Sequence, residues 1–596
     1  MNFLIRFPLK KDFKEIKTIY DPGQLSLQES SDLNIFIFNP GIAKGAKEID
    51  TPQYKYFILG DIITGAADEA VVEDFTPQGL KYLKGFFYIL QIDKKNRVVR
   101  VFNSVFSILP IYYYQSGDYF WVSSRLDLIE ENDDAELTIN KKFLLEKLLF
   151  NYALFNGTIF KEIHLLSSNC FLELNSRREL HNRLPVKKHT SIPDYFVESP
   201  RPWKKSIAGL SDLYLQVVRD YLPSTHFIMT LTGGFDGRAN TAAALKYKKD
   251  FSTFSYGSRD APDVCIPQAI AGKIGIRYEP FILDDHYAKK EFTKCAAGLV
   301  KLTEANAGIS RAHYLYIARH LARTSRHLVS GIFGSELFRA MKIPGVMTSP
   351  RLFDLFSMAD DRELARKIKN DYSLTFLNLP AFQEELEDLI EQIIHYRKNF
   401  SPALTLNQNF YIYMFEEVFR KYFGPEIVTQ AGCRLFNRSP YLDFNLVEEV
   451  LKTELAGANS SFLENNPLVR FRGQVLYAHI ICRAYPPLAA QPTDRLYKPA
   501  DFFSLIGKLN ITKSFFYRKI FRKRNDSPGY NQNAYKENIS HFMKAGIDPR
   551  LFDKTELLNL MGTDRWQQCP DLLGHIISLL LYLDPNHKTG LHFPAS

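Results

Sequence analysis

The sequence predicts an α/β chain in two unequal parts: a sheet-rich, largely antiparallel module over residues 1–190 and an α/β module built around a parallel sheet over 191–596. Three observations predict this. Residues 85–124 are short aromatic and β-branched runs split by polar turns, as antiparallel hairpins are. From His226 onward, strand-like apolar runs alternate with helical stretches of about 10–15 residues, the pattern of a parallel sheet. Between the two lies a polar stretch carrying Pro185, Pro193, Pro200 and Pro202, which suits a linker.

Taken in order, GFFYILQID (85–93), the turn Lys94-Lys95-Asn96 and RVVRVFNS (97–104) read as a hairpin. ILPIYYY (108–114) and YFWVSS (119–124) add strands on either side of Gly117–Asp118, and KEIHLLSSNCFLELN (161–175) reads as a further strand pair. A helical pattern begins near Ser206. HFIMTL (226–231) is then a short buried strand, 238–249 an alanine-rich helix, FSTFSY (251–256) a second strand and 264–274 a second helix. Residues 278–283 give a third strand and HLVS (327–330) a fourth. Beyond Ile332 the pattern is mainly helical, with Leu446, Val447, Val450, Leu451 and Leu455 at helical spacing.

Composition excludes several classes. With 596 residues, 45% hydrophobic and 24% charged, the chain is neither disordered nor fibrous. Six scattered cysteines (170, 265, 295, 433, 482 and 569) provide neither a disulfide framework nor a CxxC knuckle. The start, MNFLIRFPLKKDF, lacks a signal-like apolar stretch. The longest apolar run, Leu572 to Leu583, is broken by Gly574, His575 and Ser578 and falls short of the ~20 residues of a membrane span. The expectation is a soluble cytoplasmic protein with no membrane partner. The 14 histidines form no HExxH pair, and no GxSxG elbow occurs. Net charge is +9, from 75 basic and 66 acidic residues, which is compatible with an anionic ligand.

The segment richest in chemistry is Leu231-Thr232-Gly233-Gly234-Phe235-Asp236-Gly237-Arg238, between the first parallel strand and its helix. In open parallel sheets ligands bind at such a strand end. Glycines let the backbone approach phosphate oxygens, and the helix N-terminus favours them. Asp236 would suit a Mg²⁺ ion that bridges phosphates; Thr232 and Arg238 would partner the same oxygens. Neither GxxxxGK[ST] nor GxGxxG occurs in the chain. A plain glycine turn would satisfy the same local pattern.

The octet resembles the pyrophosphate loop of the asparagine synthetase family, usually SGGxDS, which stands here as TGGFDGR. TFSYGS (253–258) is similar to that family's second strand, and Pro262-Asp263, Ala269, Ala271 and Gly275 to its next helix. Ser330-Gly331-Ile332-Phe333-Gly334-Ser335-Glu336-Leu337-Phe338 resembles its SGEGADELF motif, and Arg438-Ser439-Pro440-Tyr441-Leu442-Asp443 its RVPFLD. Pro492, Arg495 and Lys498 resemble a late P-x-x-x-x-R-x-K segment, with imperfect spacing. In the first half, the runs at 85–104, 108–114 and 119–129 and NGTIFKEIHLLSSNCFLEL (156–174) are similar to its glutaminase-like domain. The resemblance implies an Ntn-hydrolase-like antiparallel sandwich (1–190), then a PP-loop α/β synthetase domain with helical C-terminal additions (191–596). It implies ATP and Mg²⁺ as cofactors and an acyl-adenylate that releases pyrophosphate before an amine forms the amide. By resemblance, Thr232, Gly233, Gly234, Asp236, Gly237 and Arg238 line the pyrophosphate cradle, and Leu231, Tyr256, Ser330 and Gly331 hold the adenosine. Asp236 is the metal ligand, and Lys498 and Arg238 are the catalytic candidates.

Three departures from the family pattern redirect this expectation. Asn2 follows Met1 where glutamine-using members carry their nucleophilic cysteine, and no cysteine precedes Cys170. Ser335 stands where an Asp is usual, with Glu336 retained, and Ile332 and Phe333 replace an acid and a glycine. These departures are similar to the β-lactam synthetase and lasso-peptide cyclase branch, whose degenerate glutaminase-like domain accompanies a substrate-borne amine. The implied partners are a small-molecule or peptide carboxylate and amine; a homodimer is left open. Ammonia-dependent asparagine synthesis, a non-catalytic pseudoenzyme, and an ATP-pyrophosphatase acting on tRNA are the alternatives. The lack of a dedicated RNA-binding module speaks against nucleic acid. Seven basic residues (Lys508, Lys513, Arg518, Lys519, Arg522, Lys523, Arg524) interleave with Phe515, Phe516, Tyr517 and Phe521. This segment reads as an amphipathic helix with its aromatic face in the core, or else as a docking surface.

Overall fold

The computed structural model describes residues 2–9, 15–21, 33–38, 46–63, 75–132, 136–175, 185–341, 345–521 and 529–584. Its first half contains β1 (Asn2–Pro8), β2 (Ile16–Asp21), β3 (Leu33–Phe38), β4 (Ala46–Asp50), β5 (Tyr54–Ile63) and β6 (Lys84–Asp93). These are followed by β7 (Val98–Asn103), β8 (Tyr112–Ser116), β9 (Tyr119–Ser123), β10 (His164–Leu165), β11 (Cys170–Asn175) and β12 (Val186–Lys188). They form two sheets of six strands, ordered β10-β8-β9-β1-β3-β2 and β12-β11-β7-β6-β5-β4. Every pairing in both is antiparallel except β2 with β3.

Period-two alternation decides what each face buries. In β6, Tyr88, Leu90 and Ile92 face the other sheet, where Tyr88 meets Phe3 of β1 edge-to-face at 5.1 Å. The intervening Phe87 and Ile89 join a small outer cluster with Phe102 and Phe171, whose rings stack at 4.7 Å. The predicted hairpin over 85–104 is present as β6–β7. The expected strand pair over 161–175 is not: β10 pairs with β8 in one sheet, while β11 pairs with β7 and β12 in the other. Residues 166–169 therefore carry the chain between sheets.

The second half holds a parallel sheet of β13 (Phe227–Thr230), β14 (Phe251–Gly257), β15 (Arg277–Ile282), β16 (His327–Val329) and β17 (Phe436–Arg438), ordered β15-β14-β13-β16-β17. The chain adds strands on one side of β13 and then crosses to place β16 on its other side. This reversal opens a crevice at the carboxyl ends of β13 and β16. Helices Asp236–Lys246 and Pro262–Ile274 make the first two crossovers. Helix Trp203–Tyr221 buries Leu210, Tyr214, Val217, Val218 and Tyr221 along one stripe against helices Asp236–Lys246 and Pro467–Ala484. Within this parallel sheet, β17 is the strand that the sequence pattern did not reveal.

The proline-bearing stretch is docked at both ends. Val186–Lys188 pairs with β11, and Arg201 exchanges backbone hydrogen bonds with Lys452 and Glu454 at 2.9 and 3.0 Å. The interrupted apolar run forms the core helix Pro570–Leu583, and no helix among the described residues is long and apolar enough to cross a membrane.

Candidate functional site

At the reversal between β13 and β16 lies a cavity of about 310 Å³. The glycine loop after β13 and the turn after β16 face it together: Thr230, Thr232, Asp236, Gly237, Ser330, Gly331, Ser335 and Glu336 all line it. Phe254 and Tyr256 of β14 add a second wall. Tyr314, Ile332, Phe333, Phe423, Glu426 and Gln430 close it from the helical side.

The two loops interlock because two residues have no side chain. A Cβ on Gly237 would meet the Thr230 carbonyl oxygen at 2.5 Å, and one on Gly331 would meet the Gly237 nitrogen at 2.7 Å. The Gly331 N–H donates to Thr230 Oγ1 at 3.1 Å, fixing the second turn against the end of β13. Behind them, Asn240 donates to the Ser330 carbonyl at 3.0 Å, and Ser330 Oγ donates to Asn437 of β17 at 2.8 Å. Asn437 in turn donates to Gln430 at 2.7 Å, and Gln430 to Glu426 at 3.0 Å. An amide relay thus runs from the turn to the far wall.

Asp236 begins its helix, with its backbone carbonyl held by the Tyr441 hydroxyl at 2.8 Å. Its Oδ2 accepts the Ser335 hydroxyl at 2.7 Å, and Arg339 donates to Ser335 Oγ at 2.9 Å. The serine that departs from the expected acid therefore bridges a carboxylate and a guanidinium. Burial and the neighbouring Asp236 push the Glu336 carboxyl up to about 7, and burial raises Glu426 to about 7 against the pull of Arg311. Burial also holds the Tyr256 hydroxyl well above its ordinary range, while its ring lies 4.9 Å from that of His313.

The cavity lining carries three carboxyl groups and neither Lys nor Arg. The lining thus offers a bare polyanion no cation, whereas a metal-bearing polyphosphate would bring its own counter-charge. Among the described residues no three ligating side chains gather to hold a metal ion by themselves. Mg²⁺ at nucleotide sites uses only one or two carboxylates plus phosphate oxygens, and Asp236 with Glu336 beside it fits that donor set.

Not all the sequence candidates converge on the cavity. Thr232, Asp236, Gly237, Tyr256, Ser330 and Gly331 line it; Leu231, Gly233, Gly234, Arg238 and Lys498 do not. Leu231 is fully buried and its N–H joins the Phe254 carbonyl at 2.9 Å. The Gly233 and Gly234 amides are taken by Asp263 Oδ1 at 3.1 Å and Thr232 Oγ1 at 3.3 Å. Arg238, expected to meet phosphate, is fully buried and donates to the carbonyls of Gln491, Pro492 and Gly233 at 2.9, 3.0 and 3.4 Å. Burial draws its guanidinium down to about 10. It clamps the segment after Pro487 onto the glycine loop, helped by the Asp494 N–H on the Gly233 carbonyl at 3.0 Å. Lys498 is exposed at the far end of that segment. Tyr314, Glu426 and Gln430 went unnoticed in the sequence because they sit on helices with no motif around them.

A larger open cleft of about 790 Å³, with Arg259, Asp284 and Lys536 on its walls, lies beyond the ends of β14 and β15 and includes none of the glycine loop. Neither the known protein families nor the curated proteins offer a match to this chain. Among solved structures, a similar chain is the glutamine phosphoribosylpyrophosphate amidotransferase of B. subtilis, complexed with ADP and GMP. It shares 10% identity over 58% of this chain and 74% of that one, with a TM-score of 0.16, a likeness too low to argue from.

Proposed function

We propose that the protein is an ATP-dependent ligase of the asparagine synthetase type, which activates a substrate carboxylate as an acyl-adenylate, releases pyrophosphate and forms an amide. The observation that carries this reading is the meeting of the two resembling motifs, 232–237 and 330–336, at one crevice of a parallel sheet. Thr232, Gly237 and the first-turn amides of helix Asp236–Lys246 would bind the departing pyrophosphate. Tyr256, Ser330 and Gly331 would orient the adenosine. Asp236, with Glu336 beside it, would hold Mg²⁺, which when bound offsets the charge that develops on the pyrophosphate.

The amine is proposed to be substrate-borne, or ammonia, rather than released from glutamine. Residues 1–169 contain no cysteine, and Cys170 is buried in β11 with its thiol raised above the ordinary range, a poor nucleophile. Arg238 serves in this reading as a positioning residue for the loop. Lys498 is exposed and does not line the cavity, so the geometry gives its catalytic assignment no support.

Pyrophosphate release from ATP, measured over a panel of carboxylates with and without candidate amines, tests the proposal. Carboxylate-dependent release that is lost in Asp236→Ala supports it. ATP binding with no release for any carboxylate would leave a non-catalytic nucleotide-binding protein, and release that survives Asp236→Ala would remove the loop from the mechanism.

A further inference from the structure

Over residues 505–518 the helix Leu505–Phe521 does not bury its apolar face. It is anchored at its start by Gly507, where a Cβ would collide with the Asp501 carbonyl, and by Ile511, which packs on the core. Gly507, Ile511, Ser514 and Arg518, at helical spacing, are its less exposed positions. On the opposite side Leu505, Leu509 and Phe516 form one row, exposed to 82%, 70% and 56%, with Ile506 at 75% alongside. Isolated exposed leucines are ordinary on protein surfaces; four large apolar side chains on one stripe of one helix are not. The expectation that the aromatic face of this segment enters the core is corrected as well: Phe515, Phe516 and Tyr517 are all exposed, and the Phe521 side chain lies outside the described residues.

The charge beside that stripe is of one sign. Lys513 lies within it and Lys508 flanks it; both are exposed, and neither forms an ion pair among the described residues. From Phe502 to Asn525 the sequence contains seven basic residues and no Asp or Glu. Of these, Arg522, Lys523 and Arg524 lie outside the described residues. A two-fold contact through this face would set lysine against lysine, which disfavours a second copy as its occupant. An exposed aliphatic and aromatic stripe with basic flanks matches an anionic lipid surface: the apolar side chains enter the acyl boundary and the lysines meet the headgroups.

We propose that this helix is a peripheral anchor that docks the protein on anionic membranes, independently of the proposed ligase chemistry. That no helix among the described residues is long and apolar enough to span is no obstacle, since such a helix lies in the interface plane. The proposal differs from the sequence-based expectation of no membrane partner.

Co-sedimentation of the full-length protein with phosphatidylglycerol vesicles and with phosphatidylcholine vesicles tests the anchor. Binding is expected to the former, to weaken as salt is raised, and to be about tenfold or more lower for phosphatidylcholine. Leu505→Ser/Ile506→Ser/Leu509→Ser/Phe516→Ser should lose binding, as should Lys508→Glu/Lys513→Glu, with thermal unfolding unchanged in both. No binding to phosphatidylglycerol, or binding retained by the serine variant, would overturn the proposal. So would light scattering that finds a dimer in the parent and a monomer in the serine variant, because the face would then belong to a second copy.

Discussion

The Asp61 carboxylate on β5 accepts both Nε and Nη2 of Arg438, at 2.6 and 2.9 Å, joining the second antiparallel sheet to the last strand of the parallel one. His327 of β16 stands 3.8 Å from the same carboxylate, and the Arg438 carbonyl accepts the Ser330 N–H at 3.1 Å. The turn that floors the cavity is thus tied through one mostly buried ion pair to the first half of the chain. The sheet-rich first half, on this account, is a scaffold for the crevice. Removing one partner of a mostly buried, bidentate pair leaves the other charge uncompensated, so Asp61→Ala should cost about 3 kcal/mol in denaturant unfolding. Replacing both, as Asp61→Leu with Arg438→Met, should recover most of that loss. An unchanged midpoint in Asp61→Ala would mean that the pair does not couple the halves.

The glycine contacts make a sharper prediction about the cavity. Gly331→Ala forces a Cβ against the Gly237 nitrogen, and overpacking of this kind costs about 1–3 kcal/mol. ATP binding by calorimetry should weaken about tenfold, the equivalent of about 1.4 kcal/mol. Gly234→Ala is the control, since its Cβ would meet nothing closer than Thr232 Oγ1 at 3.4 Å. Equal effects from both substitutions would sever the interlock from nucleotide binding.

Arg238→Ala should act on stability before it acts on chemistry. Three backbone carbonyls lose a charged donor in a buried setting, a loss of about 3 kcal/mol. Arg238→Lys should not restore it, because an ammonium lacks the planar fork that reaches three acceptors. A variant as stable as the parent but dead in catalysis would return Arg238 to a direct role.

Glu304 gives a pH dependence remote from the cavity. Its carboxylate accepts the Tyr112 hydroxyl and the Leu126 N–H, with Arg125, Asp127 and Tyr582 around it, and burial pushes its pKa from 4.5 to about 8. Between those values the folded protein holds a proton that the unfolded chain has released, so stability falls as pH rises and the loss is complete above about pH 8. Glu304→Gln should remove that contribution, and its melting temperature should gain on the parent's as pH goes from 7 to 8.5. Parallel pH curves would contradict the assignment.

Much of this was legible in the sequence, for reasons that the failures clarify. The hairpin at 85–104 and strands β13 to β16 follow from alternation and from strand–helix periodicity, both of which are local. β17 escaped because Phe436-Asn437-Arg438 is three residues long with a polar centre, and only the sheet makes it a strand. β10 and β11 were joined as a pair because a short apolar run does not name its partner. The site was half legible. Loop glycines and Asp236 announce themselves by residue type, whereas Glu426 and Gln430 reach the cavity only through the packing of helix Gly424–Gly432. Arg238 shows the opposite error: a residue suited to phosphate whose side chain folds away from it.

Attack of a carboxylate at the α-phosphate of ATP leaves its signature in the nucleotide product. With an active carboxylate found, chromatography of the reaction should give AMP and pyrophosphate in equal amounts, and both should disappear in Asp236→Ala. ADP and inorganic phosphate as products would place the attack at the γ-phosphate and contradict the account.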